Sequence, residues 1–227
     1  MSRKMLSVLI ALVMVFAISG SCFAAPGYFF NGGVDSYNTN GCKADITVRD
    51  SIVTSGSSTR VYVSIGDTYT SGNWARVGYI KEYNWSSPQY FYEYAYNWNG
   101  YYYGNKVLLG NAPLHTTHNF KVGCDATTMY FIIDEVTKGT VALSLIPFAR
   151  NSSKIHTEAR NNLDRVPAYG NPIYVRNADT KVNVWGAGFA PYNVLNHNSE
   201  FLRDHSIYAA NNIAYWNRYF DMWDTFY

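Results

Sequence analysis

Residues 74–96 read WARVGYIKEYNWSSPQYFYEYAY, and their period is two. Trp74, Arg76, Gly78 and Ile80 fall on one face of an extended chain, and Ala75, Val77, Tyr79 and Lys81 on the other. Asn84-Trp85-Ser86-Ser87-Pro88 supplies turn chemistry. Gln89 to Tyr96 then resumes the alternation, with Phe91, Glu93 and Ala95 against Tyr90, Tyr92, Tyr94 and Tyr96. The stretch predicts two strands joined by a turn. One residue in it is misplaced, because Glu93 puts a carboxylate in the middle of an aromatic β-run. Strands are depleted in Glu, and a buried carboxylate is costly without partners.

The same signature extends both ways along the chain. Strands are predicted over Cys42–Arg49, Arg60–Ile65, Tyr101–Leu109, His115–Val122, Met129–Val136, Thr140–Phe148, Ser153–Arg160 and Ile173–Val184, with Gly, Asn and Pro clusters between them. A strand about every 8–12 residues is the sandwich or barrel pattern. The fold class is therefore all-β, an antiparallel two-sheet jelly-roll sandwich with a less regular C-terminal tail. Residues 25–41, rich in Gly and Asn, are expected to form an irregular lead-in, 42–185 the sandwich domain, and 186–227 an extension that packs on or completes it. Within that extension Ile207–Phe220 fits an amphipathic helix or a strand pair equally well.

Residues 1–24 have the plan of a bacterial-type signal peptide: Arg3 and Lys4, an apolar run from Leu6 to Ile18, and Cys22-Phe23-Ala24 before the cut. Lipidation of Cys22 is disfavoured, since Ser19-Gly20-Ser21 lacks the usual leucine. The expected location is secreted and extracellular, with no membrane span after cleavage. Of 18 basic residues two lie in this segment, which leaves 16 against 16 acidic ones. A formally neutral chain lacks the basic stripe a nucleic-acid partner requires. Two cysteines remain, Cys42 and Cys124, and the residues leave two readings open, one disulfide or two buried thiols.

Chemistry-bearing motifs are few. The sequence has no HExxH, CxxC, GxSxG or P-loop, and the five histidines lack zinc spacing, so no metal or cofactor is expected. A Ser/His/Asp triad has no sequence signature to exclude it, and none points to one. The candidates that remain are carboxylates on strands: Glu93, and Glu158 in KIHTEARN, which shares a face with His156 and Arg160. Arg76 and Arg160 are ready ion-pair partners for them. Aromatic residues make up 17% of the chain and charged ones 15%, a composition suited to stacking on an extended polymer. Trp74, Arg76, Tyr92, Tyr94 and His156 are the candidate ligand-binding residues, although alternation allows only part of that set to face one way.

WARVGY followed by PQYFYEYAY is similar to the paired strands of the glutamic peptidases, the eqolisins, in which a Q-x-G strand precedes a Y-x-A-W-Y-E-W-like strand. KIHTEARN resembles the glutamate-bearing strand of the related neprosin group, roughly G-G-E-V. The resemblance spans Val61 to Val184. It implies an exported protein with a concanavalin-like β-sandwich, with Glu93 at the eqolisin-like glutamate and Glu158 at the neprosin-like one. The residue matching the eqolisin glutamine, or the first neprosin glutamate, is Arg76 or Val77. Neither activates a water as a glutamine–glutamate or glutamate–glutamate dyad does.

Three function classes follow as expectations. The first is a secreted protein that binds an extended polysaccharide or peptide polymer in an aromatic groove. The second is a glutamic-type endopeptidase that uses Glu93 and Glu158 as its catalytic residues. The third is a structural surface or spore-coat-like protein whose tyrosines serve packing or cross-linking.

Overall fold

A computed structural model of the 227-residue chain describes residues 26–35, 39–67, 73–99, 101–146, 149–161, 163–167, 170–182, 190–191, 200–203, 208–212 and 219–224. The expected signal peptide lies outside the described residues. The strands are β1 (Pro26–Asp35), β2 (Thr39–Thr47), β3 (Ser58–Gly66), β4 (Trp74–Glu82), β5 (Gln89–Trp98), β6 (Tyr101–Asn111), β7 (Thr117–Cys124), β8 (Thr128–Ile133), β9 (Val136–Ala142), β10 (Ser152–Asn161), β11 (Ile173–Val182), β12 (Ala190–Pro191), β13 (Glu200–Arg203), β14 (Tyr208–Asn212) and β15 (Phe220–Asp224). They form two sheets, ordered β13-β1-β10-β3-β4-β5-β6 and β14-β15-β11-β2-β7-β8-β9, with β12 beside β11. Every pairing is antiparallel. The expected all-β jelly-roll sandwich is what the chain forms.

Alternation sets what faces the space between the sheets. Val61, Val63 and Ile65 of β3 and Ala75, Val77 and Tyr79 of β4 meet Cys42, Ala44 and Ile46 of β2 and Phe120 and Val122 of β7, all buried in one core. Burying such side chains contributes about 1.5–3 kcal/mol each. In β11 the inward set shifts from Ile173 and Val175 to Ala178. The register breaks there, between Arg176 and Asp179, and Asn177 has φ 49°, so one extra residue re-aims the strand.

The structure departs from the sequence reading in two places and decides between its open alternatives in two more. Residues 26–35 of the expected lead-in are a ten-residue strand paired with β10. Its glycines are not loop punctuation: Gly32 (φ +147°) lies against Ile155 and the His156 ring, where a Cβ has no room. The strand expected over Thr140–Phe148 begins earlier, as β9, because Asp134 (φ 51°) and Glu135 (φ 60°) close a two-residue hairpin after Ile133; a 3₁₀ turn over Leu143–Leu145 follows it. In the tail, β14 and β15 form a strand pair rather than a helix, and Phe220 and Met222 enter the core. Finally, Cys42 and Cys124 are not joined. Cys42 pairs with Val122, so Cys124 is its diagonal neighbour, and diagonal positions stand about 7–8 Å apart, beyond comfortable disulfide reach.

Candidate functional site

The charged residues gather on the outward side of the seven-stranded sheet. Register places Arg76 of β4 directly opposite Glu93 of β5 and, on its other flank, Ser64 of β3. Glu158 of β10 pairs with Arg60 of β3, four residues further along. The level between them holds Tyr62 and Gly78. Gly78 has no side chain, and a Cβ there would strike the Val61 carbonyl and crowd Tyr62. This gap and the short Ser64 let the Arg76 side chain lie diagonally across the sheet.

The guanidinium of Arg76 then bridges both glutamates. Its Nε donates to Glu93 Oε1 at 2.6 Å and its Nη1 to Glu158 Oε2 at 2.6 Å. Arg60 Nη1 donates to Glu158 Oε1 at 2.7 Å, and its Nε lies 3.5 Å from Glu93 Oε1. The Tyr62 hydroxyl donates to Glu158 Oε2 at 3.1 Å. Arg76 is also sandwiched between rings, 3.9 Å from the Trp74 centroid and 4.6 Å from that of Tyr62. The cluster is formally neutral, two arginines against two carboxylates. It is also out of water: Arg76 is 7% exposed, Glu93 6% and Glu158 2%.

Burial and charge act against each other here. For Glu158, burial favours the neutral acid, but Arg76, Arg60 and the Tyr62 hydrogen bond outweigh it and hold the carboxyl below its usual range. For Arg76, burial opposes the charge, and Glu158 and Glu93 overcome that and raise its pKa further. His156, next along β10 on the same side, is fully buried beside the Tyr62 ring. Burial, with the Lys154 charge, pushes it down to about 3, so it is neutral. Burial, with Arg76, lowers Lys154 to about 8.

Of the candidate residues, Trp74, Arg76, Glu93, His156 and Glu158 share this outward side. Tyr92 and Tyr94 do not, and their place among the ligand-binding candidates is corrected. They point the other way and pack on the inter-sheet core, Tyr92 stacked on Phe131 at 4.7 Å and 20°. The aromatic rows of β5 therefore serve packing. What stands beside Glu93 is Phe91, in a small cluster with Tyr62 and Ile80 against which Trp85 packs.

Arg160 is not the second cation. It is exposed, and Arg60 takes that role. Arg60 and Tyr62 were missed, although RVYVSI carries their signal, since a strand that alternates Arg60, Tyr62 and Ser64 against Val61, Val63 and Ile65 needs a polar reason for its second face.

A second chain of polar groups lies at one end of the sandwich. Asp134 Oδ2 is 2.6 Å from His118 Nδ1, and His118 Nε2 is 2.7 Å from Thr116 Oγ1. The order matches an acid–base–hydroxyl triad, but the Thr116 hydroxyl donates its one proton to the Pro113 carbonyl at 2.6 Å. The arrangement ties the β8–β9 hairpin to β7 and offers no activated nucleophile. Among the described residues no group of three or more His, Cys, Asp or Glu is placed to hold a metal ion. No helix among them is long and apolar enough to cross a membrane.

No protein-family model matches the chain, and no curated protein does at the sequence level. Solved structures do match. Scytalido-glutamic peptidase, bound to a peptide-based transition-state analog, overlays 88% of this chain and 100% of its own, at TM-score 0.56 and 8% identity. The fold is that of the glutamic peptidases. SCP-B, a member of the eqolisin family in complex with the tripeptide Ala-Ile-His, matches at TM-score 0.55 and 8% identity, again over 88% of this chain and 100% of that one. A family 16 glycoside hydrolase endo-glucanase from Bacteroides ovatus overlays 62% of this chain and 72% of its own at 12% identity and TM-score 0.43, too loose a fit to argue from.

Proposed function

We propose that this protein is an exported binder of an extended polymer, peptide or glycan, laid along the outward side of the seven-stranded sheet. In this reading Glu158 is a fixed charge and Glu93 an ion-pair partner of Arg76, and the two are not a peptidase's acid and base. The observation that carries it is the bridging guanidinium of Arg76, 2.6 Å from an oxygen of each carboxylate. A dyad must hold a water between its groups and let one of them change protonation state. Here an arginine takes the place of that water and favours the ionised form of Glu158. Trp74, half-buried over Arg76, offers the stacking surface. The ligand-bearing glutamic peptidase structures lend the sheet a precedent for peptide, at the level of fold.

Retention on peptidoglycan or on a glycan array, lost in Trp74→Ala although the variant still folds, is the expected result. A folded protein that no polymer retains counts against the reading. Amino-terminal sequencing of the exported chain is expected to begin at Ala25.

One observation favours a second reading, that of a glutamic-type endopeptidase: both glutamates stand on one side and converge on one point. Casein digestion from neutral to acid pH separates the two. Acid-dependent proteolysis abolished by Glu93→Gln establishes the enzyme, and its absence leaves the binder.

A further inference from the structure

Among the described residues the two sheets end on the same side of the sandwich, in β6 and β9, with Tyr92 of β5 against Phe131 of β8 and Gly139 of β9 between them. Edge strands present unpaired N–H and C=O groups, and proteins normally guard them with charge, proline, bulges or brevity. β9 is guarded: it has seven residues, carries Lys138, and meets a register break between Phe131 and Ile132. β6 is not. It has eleven residues, no proline, and Lys106 as its only charge. That charge is drawn back onto its own sheet, 2.7 Å from Glu82. Its bulge, at Gly110 (φ +98°), comes only at the far end, so the ladder from Tyr101 to Leu108 is regular. This strand also carries Tyr101 at 70% exposure, Tyr103 at 46% and Leu108 at 41%.

We propose that β6 pairs with β6 of a second copy, antiparallel about a two-fold axis through Asn105, to form one continuous sheet across the dimer. The register follows from the sequence of the strand. A two-fold at Asn105 puts Val107 opposite the partner's Tyr103 and Lys106 opposite the partner's Gly104. Val107 on the ladder then faces an aromatic residue, a favourable cross-strand pairing. Each lysine faces a residue with no side chain, and the two Asn105 amides meet at the axis. Same-face pairing requires the axis to pass through a residue, and the neighbouring choices fail. An axis at Lys106 sets lysine against lysine. An axis at Gly104 leaves Leu108 with no opposite residue in the strand, which begins at Tyr101. The contact is isologous and closes as a dimer, which removes both long edges at once. The inference is independent of what the outward side binds, although the dimer would set two such sides next to each other on one sheet.

The test is sedimentation of the purified protein over a wide concentration range, together with three variants. The expected results are a concentration-dependent dimer, its loss in Asn105→Lys with an unchanged monomer melt, and a disulfide-linked dimer of Asn105→Cys under mild oxidation where Lys106→Cys gives none. A monomer at every concentration overturns the proposal. So does a dimer that Asn105→Lys leaves intact, since the contact then lies elsewhere. Cross-linking of Lys106→Cys as fast as Asn105→Cys overturns the register and with it the self-complementarity argument.

Discussion

The outward sides of the two sheets follow the same rule of alternation and differ in how their charges meet water. On the eight-stranded sheet Asp179 and Asp221 are buried but their cations Lys43 and Arg176 stay partly exposed, whereas on the seven-stranded sheet both signs are buried. On the eight-stranded sheet, Asp45 accepts from Asn119 and Asn177 at 2.6 Å each, and Lys121 reaches Glu135 at 3.4 Å. These groups remain in contact with water; the Glu135 side chain is 72% exposed. On the seven-stranded sheet, Arg60, Arg76, Glu93 and Glu158 have left water and satisfy one another. A polar residue at every second position says that one side of a strand is not core. It does not say that the side is wet, and the two cases differ in energy by several-fold.

The largest expected effect comes from removing the centre of the buried cluster. Arg76→Met strands two buried carboxylates, and loss of one member of a buried ion group costs about 3–5 kcal/mol. Urea unfolding measures it. The comparison sharpens if replacing all four charged residues by apolar ones of similar volume recovers most of that loss, because desolvation then roughly cancels attraction. A cost below about 1 kcal/mol for Arg76→Met would place the cluster with ordinary surface pairs and break the comparison.

Acid should separate the two sides next. Unfolded His156 takes up a proton near the ordinary histidine value of 6.5, whereas the folded residue resists to about 3. Glu158 likewise resists protonation when folded, below the ordinary glutamate value of 4.5. In both windows the unfolded state binds more protons, so stability falls as pH falls. The loss begins below about 6.5 through His156 and steepens below 4.5 through Glu158. Thermal melts should show two limbs: Glu158→Gln flattens the lower one, and His156→Asn the upper. A profile unchanged by Glu158→Gln would mean that its charge is not what the arginines hold.

The sandwich was legible because its evidence is local. Period-two runs such as RVYVSI and WARVGYIK, and the turn at Asn84 to Pro88, need no partner to be recognised. Glu93 and Glu158 stood out for the same reason, as charges in aromatic or alternating strands. Arg60 escaped notice because strands often begin with a charged residue, and only its pairing with Glu158 across β3 and β10 gives it a role. Arg160 sits two residues from Glu158 and looked the better partner; position along one strand outweighed position across two. The tyrosines of β5 misled because aromatics suit a groove and a core equally, and side, not residue type, decides. Gly32 read as a breaker since the His156 ring it accommodates lies more than a hundred residues away.

The smallest expected effect lies at Lys121–Glu135, and its sign tests the contrast from the other direction. The pair is long and largely solvated, so salt screens it and its coupling in a double-mutant cycle should be about 0.5 kcal/mol or less. The same cycle on Arg76 and Glu93 should give several times more. Glu135 also bears a backbone cost the buried glutamates do not. It holds φ 60° at the second position of the two-residue hairpin, where a residue with a Cβ is disfavoured by about 1–2 kcal/mol. Glu135→Gly should therefore raise the thermal midpoint although it deletes an ion pair, since relief of the left-handed backbone exceeds the pair's contribution. Glu135→Gln keeps the backbone strain, removes the charge, and should leave the midpoint almost unchanged. If Glu135→Gly instead destabilises as much as a change in the buried cluster, then charge on the solvated side contributes as much as charge on the buried one, and the distinction between the two sides fails.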